Sequence, residues 1–218
     1  MRFSVDKKTS DYWDAVFKNK NEGGDDVYYF KDNIEKRQHI IGKLCLAGMR
    51  DHRILEIGTG EGVTAAALNV ALLSCFKYVG TEISPYCCEM LRQRWGLDIV
   101  NTDILNLPRK SEKYSVIWAF DVLEHIPVEI RKEAYNEINN VLHDNARIFI
   151  NNPDPNNPNL HDKNFDFDWN ENDLAQLCII TKTKIKTLET YRVIHRSVYP
   201  DGTKQDDIKQ YQWIELER

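Results

Sequence analysis

Apolar residues along this chain follow two spacings in turn, and their alternation predicts the fold. Runs of strand length stand at Ile54-Leu55-Ile57, Tyr78–Ile83, Leu97–Val100, Tyr114–Phe120 and Ala146–Ile150. Between them lie stretches with helical spacing. One runs from Ile34 to about Ala47, with Ile34, Ile41 and Leu44 on one stripe. Others run from Ala65 to about Cys75, from Pro85 to about Trp95, and onward from Pro127 with Ile130, Ala134, Ile138 and Val141-Leu142 on the apolar face. Strands alternating with helices give a parallel sheet with helices on both faces. Tyr114–Phe120 is apolar almost throughout, as a parallel strand covered on both sides requires. Pro85 suits a first helical position and Gly96 a helix stop.

The two ends of the chain follow a different pattern. After a helix from Asp173 to about Ile180, strands near Lys184–His195 and Ile208–Glu217 flank the turn Pro200-Asp201-Gly202-Thr203, which reads as an antiparallel hairpin. The N-terminal residues 1–50 are expected to form a helical cap, with Tyr12-Trp13 in a helix-compatible segment and a polar loop over Asn21–Asp26. This cap is expected either to lie over the mouth of a ligand site or to pack the outer helices. Residues 151–170 are rich in Pro, Asn and Asp and leave the carboxyl end of the fifth strand, where ligands sit in open α/β sheets. They are expected to form a substrate lid, with Phe165, Phe167 and Trp169, and Tyr12 from the cap, walling an acceptor pocket; the alternative is that these aromatics staple a surface excursion. His161, Asp162, Asp166 and Asp168 match no metal-ligand spacing, so no metal is expected.

Composition narrows the function classes. The 218 residues suit a single domain, and a net charge of -5 gives no basic footprint for nucleic acid. A small-molecule acceptor is the default partner. The N-terminus has no apolar signal stretch. Ala65–Phe76, broken by Asn69 and Ser74, is too short to span a bilayer. Five cysteines without a C-x-x-C pair predict free thiols, Cys87 and Cys88 among them, and a reducing, cytoplasmic setting.

The chemistry concentrates at Arg53–Thr64, RILEIGTGEGVT. A buried strand runs into Gly58, Gly60 and Gly62 and then a helix N-terminus, which offers free N–H donors and a positive dipole end. The dinucleotide fingerprint would need a glycine where Val63 stands. Glu56 beside the loop disfavours a pyrophosphate and suits a cationic, amino-acid-bearing ligand. Glu82 ends the second strand about twenty residues past the last loop glycine, the interval at which an acid reaches ribose hydroxyls.

The pattern E-x-G-x-G-x-G from Glu56 to Gly62 resembles motif I of the class I S-adenosylmethionine (SAM) methyltransferases. Asp121-Val122-Leu123-Glu124-His125-Ile126 closely resembles the motif after strand four in small-molecule methyltransferases of the ubiquinone-biosynthesis type. The resemblance implies a Rossmann-like, doubly wound α/β sheet of seven strands, mostly parallel with the last strand antiparallel. It implies SAM as cofactor, S-adenosylhomocysteine as product, and methylation of an oxygen or nitrogen atom of a small molecule, such as a sugar or amine. The implied cofactor-binding residues are Glu56, Gly58, Thr59, Gly60, Gly62, Glu82 and Ile83. Asp103 and the Ile104 N–H would serve the adenine, and Phe120 and Asp121 would border the methionine part. His125 is the candidate general base, because imidazole titrates near neutrality. The Asn/Asp-Pro-Pro-Tyr/Phe motif of nucleic-acid amino-methylases is absent after strand four. Two alternatives stand beside this: a SAM-binding protein without turnover, and a nicotinamide-dependent Rossmann oxidoreductase.

Overall fold

Strand β4 (Tyr114–Phe120) is buried on both faces, with Val116 and Trp118 turned to one side and Ile117 and Ala119 to the other. A strand with two dry faces takes an inner place in a sheet, and the other elements arrange themselves around it. The computed structural model describes residues 7–21, 34–71, 76–155, 169–198 and 204–218. The helices are α1 (Lys7–Asn21), α2 (Ile34–Ala47), α3 (Val63–Ala71), α4 (Pro85–Trp95), α5 (Arg131–Val141) and α6 (Glu171–Thr181). The remaining strands are β1 (Arg53–Ile57), β2 (Lys77–Glu82), β3 (Ile99–Asn101), β5 (Leu142–Pro153), β6 (Lys184–Val198) and β7 (Lys204–Glu217).

The seven strands lie in the order β3-β2-β1-β4-β5-β7-β6. Neighbours from β3 to β5 are parallel, and β7 runs antiparallel between β5 and β6. This is the doubly wound, Rossmann-like sheet expected from the sequence. On one face Ile40 and Leu44 of α2 and Leu68 of α3 pack on Val116, Trp118, Phe149 and Trp213. On the other, Ala134, Tyr135 and Ile138 of α5 and Leu174 and Leu177 of α6 cover Leu55, Ile57, Ile117 and Ile148. A third cluster joins Phe17 of α1 to Ala65, Cys87, Cys88 and Leu91. Among the described residues no helix is long and apolar enough to cross a membrane, and the four cysteines described are free.

Local chemistry sets the boundaries. Ser84 caps α4 by accepting from the Cys87 N–H, and Gly96 ends it in the left-handed region at φ 63°. Helix α6 starts at Glu171, ahead of the expected Asp173, because Asn170 and Asp173 form a reciprocal capping box. Leu142, expected on a helix face, instead opens β5 directly after α5. At its other end β5 continues through Asn151, Asn152 and Pro153, which pair with Trp213, Gln212 and Tyr211. The proposed lid therefore gives up its first residues to the sheet, where β7 satisfies their backbone. Residues 156–168 of that segment, with Phe165 and Phe167, and the hairpin turn at Pro200–Thr203 lie outside the described residues.

Trp169 corrects an expectation. It is not on an acceptor pocket but in the core against α5 and α6, where its indole N–H donates to the Tyr135 hydroxyl at 2.9 Å. A buried indole needs such a partner, and Tyr135 supplies it. Trp169→Phe keeps most of the apolar volume and removes the donor. We expect it to lower unfolding free energy by about 1–2 kcal/mol, read as a shift in the urea midpoint at unchanged slope.

Candidate functional site

Glu82 ties together the two loops that follow β1 and β2. One carboxylate oxygen accepts from the Gly60 N–H and the other from the Ser84 N–H, each at 3.0 Å. Gly60 belongs to the turn between β1 and α3; Ser84 starts α4. The turn is anchored further by the Thr59 N–H on Thr81 O at 2.8 Å. Gly58 has φ 66°, and a Cβ there would come within 2.8 Å of Val122 Cγ2, so the turn after β1 and the stretch after β4 meet only because that side chain is missing. At Gly60 a Cβ would meet no protein atom nearer than 4.0 Å. That backbone stands open to the adjoining cavity.

The cavity has a volume of about 780 Å³ and lies over the carboxyl ends of the parallel strands, within the range of small-molecule and cofactor sites. Of the residues singled out from sequence, Tyr12, Gly58, Gly60, Glu82, Ile83, Asp103, Ile104, Asp121 and His125 line it. Asp103 also makes its own turn: one oxygen accepts from the Leu105 N–H at 2.9 Å and from the Asn106 amide at 2.8 Å. Burial raises the Glu82 pKa above its ordinary value, and the Ser84 and Gly60 N–H groups oppose that rise.

Glu56, Thr59, Gly62 and Phe120 are not on the cavity wall. Glu56 lies beneath the glycine turn, where it accepts from the Tyr78 hydroxyl. The Thr59 hydroxyl sits 3.3 Å from that same phenol. Gly62 faces Leu91 and Leu97, with no room for a Cβ between them. Phe120 shares its strand face with Trp118 and stacks between Trp118 and Trp213. Strand alternation turns it away from the cavity, whereas Asp121 reaches the cavity because the chain takes φ 50° there.

Asp121 is held from several sides. Its N–H donates to Asn151 O at 2.7 Å, and its carboxylate pairs with Lys36 of α2. Lys36 is only 6% exposed, with its ammonium 4.3 Å from the centre of the Tyr211 ring. Neither Lys36 nor Tyr211 stood out in the sequence, since a lone lysine and a strand tyrosine carry no motif. Trp13, which the sequence offers only as half of the aromatic pair in the cap, lines the cavity, and its ring meets that of His125 edge to face with centroids 5.1 Å apart. Glu124, next to His125, is buried; its pKa is raised by desolvation. The Asn152 amide, oriented as its partners require, donates to Glu124 at 3.2 Å. Asp154 is buried too, accepts from Gln210 at 2.7 Å and is not on the cavity wall.

Residues 54–145 match the family model of a methyltransferase domain. The fold is similar to that of a Bacillus halodurans protein described as a methyltransferase, at TM-score 0.64 and 12% identity over 81% of this chain and 97% of that one. It is similar to magnesium protoporphyrin IX methyltransferase from Synechocystis with bound S-adenosylhomocysteine, at TM-score 0.61 and 14% identity over 84% and 82%. It also resembles the [4+2]-cyclase SpnF, at TM-score 0.56 and 15% identity over 78% and 75%. No curated protein matches the chain by sequence. The domain match over residues 54–145 and the sheet topology both agree with a class I SAM-dependent methyltransferase domain. SAM is the cofactor of that class. The residues present fit the cofactor: Glu82 keeps acceptor capacity beyond its two N–H partners, and the Gly60 backbone is bare on the cavity side.

Within that motif, Glu56 behaves as a neutral brace. Burial pushes its carboxyl from 4.5 up to about 8, against the opposing hydrogen bond from Tyr78. A raised folded pKa means the folded state holds the proton more tightly than the unfolded chain. The associated stability is present in full below about 4.5 and is lost as pH climbs to about 8. Glu56→Gln keeps an acceptor for Tyr78 and removes the titration. We expect wild type to lose stability on the order of 1–3 kcal/mol between pH 5 and 8 relative to Glu56→Gln, measured by chemical unfolding across that range.

Proposed function

We propose that this protein transfers a methyl group from SAM to an oxygen or nitrogen atom of a small molecule. The observation that carries the reading is the row of groups along one edge of the sheet. In strand order they are Asp103 after β3, Glu82 on β2, Gly58 and Gly60 after β1, and Asp121 after β4, all on one cavity. A nucleoside-bearing ligand laid along that row meets Asp103 and Ile104 at the base, Glu82 at the ribose hydroxyls, and the glycine backbone and Asp121 at the amino-acid end. The cofactor supplies an activated methyl group on a sulfonium.

The protein's own part is binding, alignment and shielding, and such orientation contributes several kcal/mol to a displacement. His125 is the imidazole on the wall and is assigned the acceptor's proton; the edge of Trp13 limits its movement. Glu124 is buried behind it and keeps a supporting role.

The test is calorimetric titration of wild type and Glu82→Ala with SAM, S-adenosylhomocysteine and NADH. SAM and its product should bind wild type, and binding to Glu82→Ala should be weaker by about 10- to 100-fold, the loss of a charged hydrogen-bond acceptor. NADH should not bind. Binding of NADH alone, or of none of the three, would overturn the reading. With the cofactor established, release of S-adenosylhomocysteine on adding candidate amines, phenols and sugars identifies the acceptor, and its absence across acceptors would favour a SAM-binding protein without turnover.

A further inference from the structure

Helix α1 lies outside the residues that match the methyltransferase domain, yet Lys8, Thr9, Asp11, Tyr12, Trp13 and Phe17 all belong to the cavity wall. The chain connects it to α2 only through residues 22–33. What holds α1 in place is therefore a matter of side-chain contacts. Phe17 is buried against Ala65, Cys87 and Leu91. The Ser10 hydroxyl donates to Ile83 O at 3.1 Å. Asp14 adds a charged attachment: one carboxylate oxygen accepts from the Ser84 hydroxyl and from the Tyr86 N–H, the latter at 3.2 Å.

That oxygen meets the first turn of α4, where free N–H groups and the positive end of the helix dipole favour a negative charge. Ser84 is fully buried and serves both sides of the junction. Its hydroxyl receives the Cys87 N–H at 3.0 Å and gives its own hydrogen to Asp14, while its backbone N–H holds Glu82. One short path, Asp14 to Ser84 to Glu82, thus joins the helix over the cavity to the carboxylate inside it. A charged acceptor with two donors is worth more than a neutral contact. On the other wall the ring of Trp13 meets that of His125 edge to face.

We propose that Asp14 is a positioning residue that latches α1 over the cavity, so that the cofactor enters and leaves when this attachment opens. The proposal rests on the cofactor reading above. In the closed state α1 excludes water from the ribose and amino-acid ends of the site. Opening requires the release of Ser84 and Tyr86 and leaves the sheet intact.

The experiment uses the full chain as wild type, Asp14→Ala and Asp14→Asn, the last keeping an acceptor oxygen for both donors. Amide hydrogen exchange without ligand reads the latch, and stopped-flow dissociation of S-adenosylhomocysteine reads the gate. For Asp14→Ala we expect exchange in residues 8–18 to quicken by about 10-fold or more, with β1 and β4 unchanged, and dissociation to quicken by a similar factor. Asp14→Asn, which keeps the acceptor and loses the charge, should fall between wild type and Asp14→Ala on both. Unchanged α1 exchange in Asp14→Ala, or faster exchange throughout the sheet, would overturn the latch. Faster α1 exchange with unchanged dissociation would overturn the gate. If wild type binds no S-adenosylhomocysteine, the cofactor reading fails and the gate with it, and the exchange data show separately whether Asp14 holds α1.

Discussion

Two hydrogen bonds to one buried carboxylate hold the site together. Glu82 takes the Gly60 N–H on one oxygen and the Ser84 N–H on the other. The turn after β1 and the start of α4 after β2 are thereby fixed relative to each other. Backbone donors in tight turns have few other partners, and a carboxylate removed from water needs donors to stay there. Each side meets the other's requirement. The same residue also closes the floor of the cavity, so the fold and the site share one interaction.

The opposite end of the cavity is secured by other means. Asp121 takes a left-handed backbone conformation at the end of β4, uncommon outside glycine but tolerated by Asp. Its N–H is tied to β5 and its carboxylate to Lys36, which lies over the Tyr211 ring on β7. Tyr191 on β6 adds a hydrogen bond to Asn151. Charges and aromatic faces from α2 and the β6–β7 hairpin thus support Asp121. The domain match ends at residue 145, so these supports come from parts of the chain that the match does not reach.

The candidate site was legible where function depends on the backbone. Gly58 and Gly60 mark a turn that only missing side chains permit, and Glu82 stands one crossover later, as the geometry of a parallel sheet demands. Glu56, Thr59, Gly62 and Phe120 share the same motifs but brace the site from beneath or behind, because a motif gives spacing and not the direction a side chain takes. Trp169 shows the same limit. An aromatic in a polar, loop-like stretch looks like a pocket wall until the Tyr135 hydroxyl is found beside its indole N–H.

Sequence by itself determined the order of strands and helices, the buried middle strand, the glycine turn and the strand-end acids. These follow from periodicity and from the few residues that allow a given backbone. Only the tertiary structure decided that α1 lies over the cavity, that Lys36 pairs with Asp121, and that Asp14 reaches the first turn of α4. Those contacts join residues 70 to 85 positions apart, and no local pattern encodes them, because a lysine or aspartate on a helix surface reads as solvated until the sheet brings its partner within reach.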